Sequence, residues 1–188
     1  MYKILSIYIQ PPSNVRANLL RLTKALAQKY GVYGQMREFK GPHITIFSLK
    51  VDERDFDETI GNIRALCGEL RPFAVTVDGW GYFLKPDTAI YLKVVKTREM
   101  KASYKALDTR FKGYKIGYPR FNPHISIMHN KARPEEDARR IRAAIRELKG
   151  LRFRKRFTVS QLKVSAYTKG IKGHKFIGAS VKTVKLKS

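Results

Sequence analysis

One pentapeptide occurs twice in this chain. The sequence PHITI at residues 42–46 returns as PHISI at residues 123–127. Successive side chains of a β-strand point to opposite faces, so the histidine and the hydroxyl residue of each copy share one face and the two isoleucines share the other. Each copy therefore predicts a strand that buries its isoleucines and presents an imidazole beside a hydroxyl. Two such strands facing each other would surround one ligand with two titrating groups and two hydroxyl donors.

The composition is that of a globular protein with an unusual charge. The chain has 188 residues, of which 43% are hydrophobic, so it is long and apolar enough for a sizeable core. Lysine and arginine number 39 against 15 acidic residues, a formal net charge of +24. A field of this sign and strength attracts polyanions, and nucleic acid is the leading partner class. Excess lysine can also serve solubility alone, but solubility does not require so large an imbalance.

Cysteine content and hydropathy indicate the compartment. The single cysteine, Cys67, cannot form an internal disulfide, and its apolar helical surroundings predict a buried filler. No apolar run approaches the roughly 20 residues of a membrane-spanning helix. The opening strand lacks the long apolar centre and the cleavage site of a secretion signal. We therefore expect a cytoplasmic protein that does not associate with a membrane.

Helical and strand patterns alternate along the chain. Strands are expected at residues 3–9, 44–49, 73–77, 89–95, 157–167 and 176–184, and after residue 122 for the second histidine motif. Helices are expected from residue 13 or 14 to Gly31 or Gly34 and at residues 52–68, 98–111 and 133–149. Connections are expected at 78–87 and 112–122, a basic turn at 170–175, and a frayed end at 182–188. This interleaving, with one histidine motif in each half and no linker between the halves, favours two similar α+β lobes packed as one unit.

The paired histidines are the strongest candidates for catalysis. An unperturbed imidazole, with a pKa of about 6.5, can give or take a proton near neutral pH. His43 and His124 could divide the roles of general acid and general base, each typically contributing about 10² to 10⁴ in rate. A pure packing repeat would explain the isoleucines but not a titratable ring at both places. Thr45 and Ser126, on the same faces as the histidines, are candidate donors to a phosphate oxygen, the alternative being ordinary strand residues.

Other candidates are weaker. His124 and His129 are five residues apart, on opposite faces of a regular strand, and no cluster has zinc spacing, so we expect no catalytic metal. His129 is a candidate for the rim of a groove, and His174, in the basic turn, is expected to be exposed.

Several residues near the motifs could bind substrate. Lys40 and Arg120 precede the two motifs and could reach a phosphate, while Tyr167 could form a wall against a base or ribose. The aromatic residues within 80–83 could stack on a base, with core packing as the alternative. The basic run at residues 152–156 is expected to be a solvated edge, with an RNA backbone contact as the alternative.

The two motifs resemble those of the 2H phosphoesterase superfamily, and within it the RNA 2′,3′-cyclic phosphodiesterases, also called 2′-5′ RNA ligases. The resemblance extends from the opening strand and helix through the Gly-Trp-Gly segment at 79–81 to the closing strand at 162–167. It implies an α+β fold of two pseudo-symmetric lobes, each an antiparallel sheet flanked by helices, with the active-site groove between them. We expect a single domain over residues 1–188, with motif 43–45 in one lobe and motif 124–126 in the other.

The resemblance also implies a reaction without metal or cofactor, the hydrolysis of RNA 2′,3′-cyclic phosphate ends to 2′-phosphates. By resemblance His43 is the acid and His124 the base, while Thr45 and Ser126 contact the phosphate; spacing alone does not assign these directions. Ser126 stands where many members have threonine, which is a mild chemical change. The expected partner is RNA with cyclic phosphate ends, tRNA fragments being one candidate, and the expected oligomeric state is a monomer.

Two alternatives stay open at this point. The same site could join RNA ends through a 2′-5′ linkage, cleave 2′-5′ oligonucleotides or act on a small cyclic nucleotide phosphate, although the charge favours long RNA. The chain could also be a non-catalytic RNA-binding module whose histidines only contact the ligand, which predicts tight, salt-sensitive binding without product.

Overall fold

The computed structural model describes residues 2–31, 41–83, 88–117, 120–130, 134–169 and 176–187. These residues form eight strands and four helices in an α+β arrangement, the class that the sequence predicts, with one strand more than the seven expected. The strands are β1 (Tyr2–Ile9), β2 (Ile44–Asp52), β3 (Phe73–Phe83), β4 (Thr88–Val94), β5 (His124–Asn130), β6 (Arg154–Val159), β7 (Gln161–Lys169) and β8 (Phe176–Lys185). The helices are α1 (Ser13–Tyr30), α2 (Phe56–Gly68), α3 (Arg98–Phe111) and α4 (Pro134–Leu148), with 3-10 turns at Glu53–Asp55 and Lys112–Tyr114.

The strands form two antiparallel sheets of four. The first sheet has the order β2-β1-β7-β8 and the second has the order β5-β4-β3-β6. The two strands that follow or carry the histidines, β2 and β5, therefore occupy corresponding ends of the two sheets. Each is reached by the same path, a strand, a helix and an antiparallel partner strand: β1-α1-β2 in the first half and β4-α3-β5 in the second. The expected fold class of two related lobes is confirmed.

The two lobes exchange helices. Although α1 connects two strands of the first sheet, it contacts β5 of the second; α3 connects two strands of the second sheet and contacts β2 of the first. The other two helices stay with one sheet each, α2 against β2 and β8, and α4 against β3 and β4. Each sheet is therefore covered partly by a helix from the other half. This interlocking favours a single folding unit, and the one-domain organisation over residues 1–188 stays a prediction.

Local chemistry explains where α1 and α3 begin and end. Gly31 closes α1 in the left-handed conformation, with φ of 64°, and its N–H donates to the carbonyl of Ala27 at 2.9 Å. Thr97 caps α3, its hydroxyl accepting from the backbone N–H of Met100 at 3.2 Å. Since capping residues and helical apolar spacing coincide, the predicted bounds of α3 match the observed ones.

The prediction of a connection at residues 78–87 is wrong for its first six residues. β3 continues through this segment to Phe83, with a break in its register against β4 between Val77 and Trp80. Gly79, with φ of 77°, lies in this break. A glycine at positive φ allows an extra residue to be inserted as a bulge without ending the strand, so the glycines here bend β3 rather than terminate it.

The closing strands also differ from expectation. The strand expected at 157–167 is two strands that meet at Ser160, and they belong to different sheets. The prediction of a frayed end at 182–188 is wrong up to residue 187. β8 runs to Lys185, and Leu186 is 7% exposed. The N–H of Lys187 donates to the carbonyl of Leu70 at 2.8 Å. The basic turn at 170–175 lies outside the described residues.

Two minor expectations are confirmed. Cys67 is fully buried in the core, and burial raises the pKa of its thiol to about 11, as suits a structural filler. The basic residues of the 152–156 run are exposed, and most of them lie on β6, the last strand of the second sheet. Charged side chains protect such an edge against pairing with another chain. In the described part of the chain, no helix combines the length and apolarity needed to cross a membrane.

Neighbouring leucines of α1 provide a test of the exchanged packing. Leu19 is 0% exposed on the helix that contacts β5, whereas Leu20 is 37% exposed. We expect Leu19→Ala to lower the free energy of unfolding by about 2–5 kcal/mol because it leaves a cavity under β5. Leu20→Ala should change it by less than about 0.5 kcal/mol. Urea denaturation measures both, and a single shared transition is expected; equal losses in the two variants would contradict the packing.

Candidate active site

Both histidine motifs border the same cavity. β2 and β5 approach each other to within 8 Å between Cα atoms, and a cavity of about 300 Å³ lies where the motifs meet. His43, Thr45, His124 and Ser126 all line it. The structure thus brings together two pairs of polar side chains that lie far apart in the sequence. Both isoleucines of each copy are buried, as the repeat predicts, although Ile46 also lines the cavity and so does not lie strictly on the opposite face.

A bulge follows the hydroxyl residue of the first motif. In the ladder between β1 and β2, Tyr8 lies opposite Thr45 while Ile7 lies opposite Phe47, so Ile46 is the extra residue. A bulge bends its strand and breaks the strict alternation of faces, which allows Ile46 and Phe47 to be buried in succession. The strand can therefore return its apolar side chains to the core directly after presenting Thr45.

The second motif has the same irregularity at the same place. In the ladder between β4 and β5, Tyr91 lies opposite Ser126 while Ile90 lies opposite Met128, so Ile127 is the extra residue. Ile127 and Met128 are again buried in succession. The repeat therefore encodes a backbone distortion as well as a set of side chains.

A backbone hydrogen bond orients each imidazole. Nδ1 of His43 lies 2.8 Å from the carbonyl oxygen of Gly41, and Nδ1 of His124 lies 2.7 Å from that of Asn122. A carbonyl oxygen only accepts, so Nδ1 carries the hydrogen and Nε2 carries the lone pair of the neutral ring. Gly41 has φ of 58°, a conformation that favours glycine. Both rings thus have the same tautomer, which prepares Nε2 for proton transfer.

Aromatic rings contact both histidines. Tyr8 meets His43 edge-on, with ring centroids 5.3 Å apart. Tyr91 and Phe83 lie 5.1 Å and 5.3 Å from His124, and they stack on each other at 4.4 Å. Burial raises the pKa of the Tyr8 phenol, which keeps it neutral. These contacts restrict the rotation of both imidazoles.

The tyrosines are site residues that the sequence prediction missed. Tyr8 and Tyr91 occupy corresponding positions, each opposite the hydroxyl residue of its motif. A signal for them exists in the sequence, since the strand before each motif contains an Ile-Tyr pair followed by another aliphatic residue, at 7–9 and at 90–92. Ordinary strand periodicity also explains this pattern, so the pattern alone does not indicate a second repeat.

Gly81 gives Tyr91 the room it needs. The two residues are opposite each other in the ladder between β3 and β4, and the ring of Tyr91 lies across the glycine. A Cβ at position 81 would be 2.4 Å from Cζ of Tyr91, far inside van der Waals contact. The close approach therefore depends on the missing side chain, and through Tyr91 it affects His124.

Besides β2 and β5, the cavity is lined by residues of α3 and of the segment that follows it. The sequence predicts this segment as a polar connection. Lys115 forms hydrogen bonds with the hydroxyl of Tyr104 and with Asp108, the latter at 2.9 Å. These two partners, Tyr104 first, raise the pKa of the lysine. Phe121 stacks on Tyr104 with ring centroids 4.4 Å apart. Tyr104, Lys115 and Phe121 all line the cavity and were missed by sequence reasoning.

The remaining sequence candidates fall in different places. Arg120 lines the cavity. Tyr167 is not among the lining residues: it lies on β7 opposite Ile4, with β1 between it and β2, and its role as a substrate wall stays a prediction. His129 lies in β5 opposite Ala89. Lys40 and His174 lie outside the described residues.

The three aromatic residues of segment 80–83 lie in three different surroundings. Trp80 donates from Nε1 to the carbonyl of Leu151 at 2.9 Å and packs edge-on against Phe153, which favours the packing interpretation. Phe83 belongs to the wall around His124, and Tyr82 is exposed. Among the described residues, no group of three or more histidine, cysteine, aspartate or glutamate side chains could hold a metal ion.

Comparisons with known proteins agree with this geometry. No curated protein sequence matches the chain. Three similar solved structures are E. coli LigT in its apo form (14% identity, TM-score 0.66, covering 100% of this chain and 99% of that one), TT0787 of Thermus thermophilus (17%, 0.65, 100% and 98%) and Usb1 of Kluyveromyces marxianus (17%, 0.55, 98% and 98%). At these identities the likeness establishes the fold alone.

The sequence itself carries the assignment. The model of the 2′-5′ RNA ligase superfamily matches residues 11–170, a span that includes both histidine motifs and most of the cavity's lining. Because this model matches most of the chain, the protein belongs to the 2′-5′ RNA ligase superfamily, a group of 2H phosphoesterases.

Proposed function

We propose that the protein hydrolyses the 2′,3′-cyclic phosphate at the end of an RNA to a 2′-phosphate, without a metal or another cofactor. One observation carries this proposal: two imidazoles of matching tautomer and two hydroxyls line one cavity between corresponding strands of the two sheets. General acid–base catalysis needs one group to accept a proton and another to donate one on the two sides of the reacting atom.

The proposed reaction uses one neutral and one protonated imidazole. Nε2 of His124 accepts a proton from water as the water oxygen attacks the cyclic phosphorus. The bond from phosphorus to the 3′-oxygen breaks, and that oxygen takes a proton from Nε2 of His43. The product is a 2′-phosphate with a 3′-hydroxyl, and a proton returning from His124 to His43 through solvent restores the starting state. The choice of His43 as acid follows the family resemblance.

The cavity has groups that suit a phosphate. Thr45 and Ser126 can donate to its non-bridging oxygens, and Lys115 and Arg120 add positive charge at the same wall. Asp108 and Tyr104 hold Lys115 at one side of the cavity. Such prearranged donors stabilise charge that develops on the phosphate oxygens during the displacement.

Two observations favour RNA as the substrate. The formal net charge of +24 suits a polyanion better than a small molecule. The stacked pair of Tyr104 and Phe121 in the cavity wall offers an aromatic surface to a base or ribose. E. coli LigT, which has a similar fold, has been solved in complex with 3′-AMP, and a nucleotide ligand for this chain is consistent with that complex.

Joining of RNA ends is the second candidate, favoured by the name of the matching family. The same acid and base serve it if a 5′-hydroxyl of another RNA takes the place of water. A substrate panel that includes an RNA with a 5′-hydroxyl end therefore separates ligation from hydrolysis, and 2′-5′ oligonucleotides test cleavage of that linkage.

Substitution of either histidine tests the proposal most directly. We expect His43→Ala and His124→Ala each to lower kcat on a cyclic-phosphate-terminated oligonucleotide by about 10² to 10⁴, because each removes one proton transfer. The wild-type rate should be unchanged in EDTA and bell-shaped in pH: below the optimum the base is protonated, and above it the acid is deprotonated. The pH profile of the residual activity of His43→Ala should no longer fall at alkaline pH, because the acid whose deprotonation causes that fall is absent.

His174→Ala is the matched control, since the sequence places it outside both motifs, and it should keep the wild-type rate. A rate within about threefold of wild type in either motif variant would exclude the two-imidazole mechanism. Salt-sensitive RNA binding without product under any condition would instead favour a binding module.

The hydroxyl residues give a separate prediction. Thr45→Val and Ser126→Ala each remove a donor to a charged phosphate, a loss of about 1.5–3 kcal/mol. This corresponds to roughly 10- to 100-fold in kcat/KM. The exchanges Thr45→Ser and Ser126→Thr keep the hydroxyl and should stay close to wild type. If these conservative variants lost as much as the others, shape rather than hydrogen bonding would explain the positions.

The contact between Gly81 and Tyr91 predicts a positioning effect. Gly81→Ala should displace the Tyr91 ring from His124 and lower kcat by about 10²-fold, with little change in KM. In a Tyr91→Ala background the same substitution should have no further effect, because the clash is gone. Gly61→Ala, in open space on α2, is the control and should keep full activity while stabilising the helix by about 0.5–1 kcal/mol. Additive losses in the double variant would contradict this coupling.

A further inference from the structure

The outer face of α4 carries a row of positive charge. Arg139, Arg142, Arg146 and Lys149 follow one another at intervals of three, four and three residues, and all four are exposed. Helical residues at these intervals share one face, so the charges form a continuous line, here called the α4 stripe. At a rise of 1.5 Å per residue the stripe is about 15 Å long.

An exposed aromatic ring lies beside the stripe. The four cations, Tyr82 of β3 and Ile145 line one shallow cavity of about 450 Å³. Tyr82 is 47% exposed, while Ile145 is buried. Positive side chains around an exposed aromatic face are the combination that single-stranded nucleic acid requires, phosphates for the cations and a base for the ring.

The like charges of the stripe do not stabilise α4. Its neighbouring cations lie at i,i+3 and i,i+4, where like charges destabilise a helix. Between residues 138 and 149 the one acid in the sequence is Glu147, and Lys29 of α1 binds it at 2.6 Å, together with the hydroxyl of Tyr30. Within the described part of the chain, no stripe cation pairs with a carboxylate. Binding of an anionic ligand would relieve this repulsion.

The end of β3 connects the stripe to the proposed active site. Phe83 contacts His124, and its neighbour Tyr82 belongs to the stripe cavity. Adjacent residues of a strand point to opposite faces, so the same strand end borders both sites. An RNA that occupied both sites would have to pass this strand end between its terminal nucleotide and the nucleotides at α4.

We propose that the α4 stripe and Tyr82 form a second binding surface for RNA, which holds phosphates and a base several nucleotides away from the reacting end. The identity of the ligand rests on the proposed function. The active-site cavity alone handles the terminal nucleotide, and the stripe adds affinity that depends on RNA length.

The test compares two pairs of substitutions with the same change in net charge. R142Q/R146Q removes two stripe cations, and R64Q/K101Q removes two exposed cations on α2 and α3. Binding is measured by fluorescence anisotropy with a single-stranded RNA of about twelve nucleotides ending in an unreactive 3′-hydroxyl, at several salt concentrations. Turnover is measured separately with a mononucleotide 2′,3′-cyclic phosphate.

We expect R142Q/R146Q to weaken RNA binding about tenfold and to reduce the salt slope by about 0.7 for each phosphate that the variant no longer neutralises. Tyr82→Ala should weaken binding by a similar factor without changing the slope, since stacking releases no counterions. R64Q/K101Q should bind like wild type, and all variants should turn over the mononucleotide at the wild-type rate. Equal losses in the two charge variants would overturn the proposal, because the overall field would then explain them.

Two further results are decisive. Vesicles of neutral and anionic phospholipid serve as a competing polyanion: if R142Q/R146Q lost vesicle binding and kept RNA binding, the stripe would be a membrane surface and the proposal would fail. If the wild type showed no turnover but R142Q/R146Q still lost RNA binding selectively, the proposed reaction would fail and the RNA surface would stand.

Discussion

The site depends on a hydrogen bond between each imidazole and the carbonyl two residues before it. A side-chain amide or carboxylate could hold a histidine as well, but it would need a rotamer and a partner of its own. The backbone carbonyls of Gly41 and Asn122 are fixed by the entry of the chain into the strand. Because the carbonyl comes from the residue just before each pentapeptide, two positions before the ring, the tautomer is determined locally in both copies.

The bulges extend this local control to the rest of the site. An unbroken alternation would expose every second residue after the hydroxyl, and the apolar pairs Ile46-Phe47 and Ile127-Met128 could not both be buried. With the bulges, each strand presents polar groups to the cavity over one short stretch and is anchored in the core on either side of it. Rigid anchoring near a catalytic group limits the misplacement that would slow the reaction.

Much of this arrangement could be predicted from the sequence, and the omissions have physical causes. The repeat predicted two matching strands, and the caps and apolar spacing predicted α3. The sheet change at Ser160 was missed because the sequence was read as one strand across it, although the buried apolar positions shift there from Phe157 and Val159 to Leu162 and Val164. Apolar alternation reports burial but not the identity of the neighbouring sheet. Lys115 and Phe121 were missed since their place in the wall depends on tertiary contacts, namely the bridge from Lys115 to Leu49 and the ring of Tyr104.

The position of β7 has a consequence for how the protein is made. β1 needs β7 as its neighbour, and Ile4 pairs with Tyr167, so the first sheet closes across more than 160 residues of chain. During synthesis β1 and β2 leave the ribosome long before that partner exists, with one side of β1 unpaired. The nascent chain must therefore keep this edge from aggregating until β7 has been made and can pair with β1, and the first sheet cannot be complete before then.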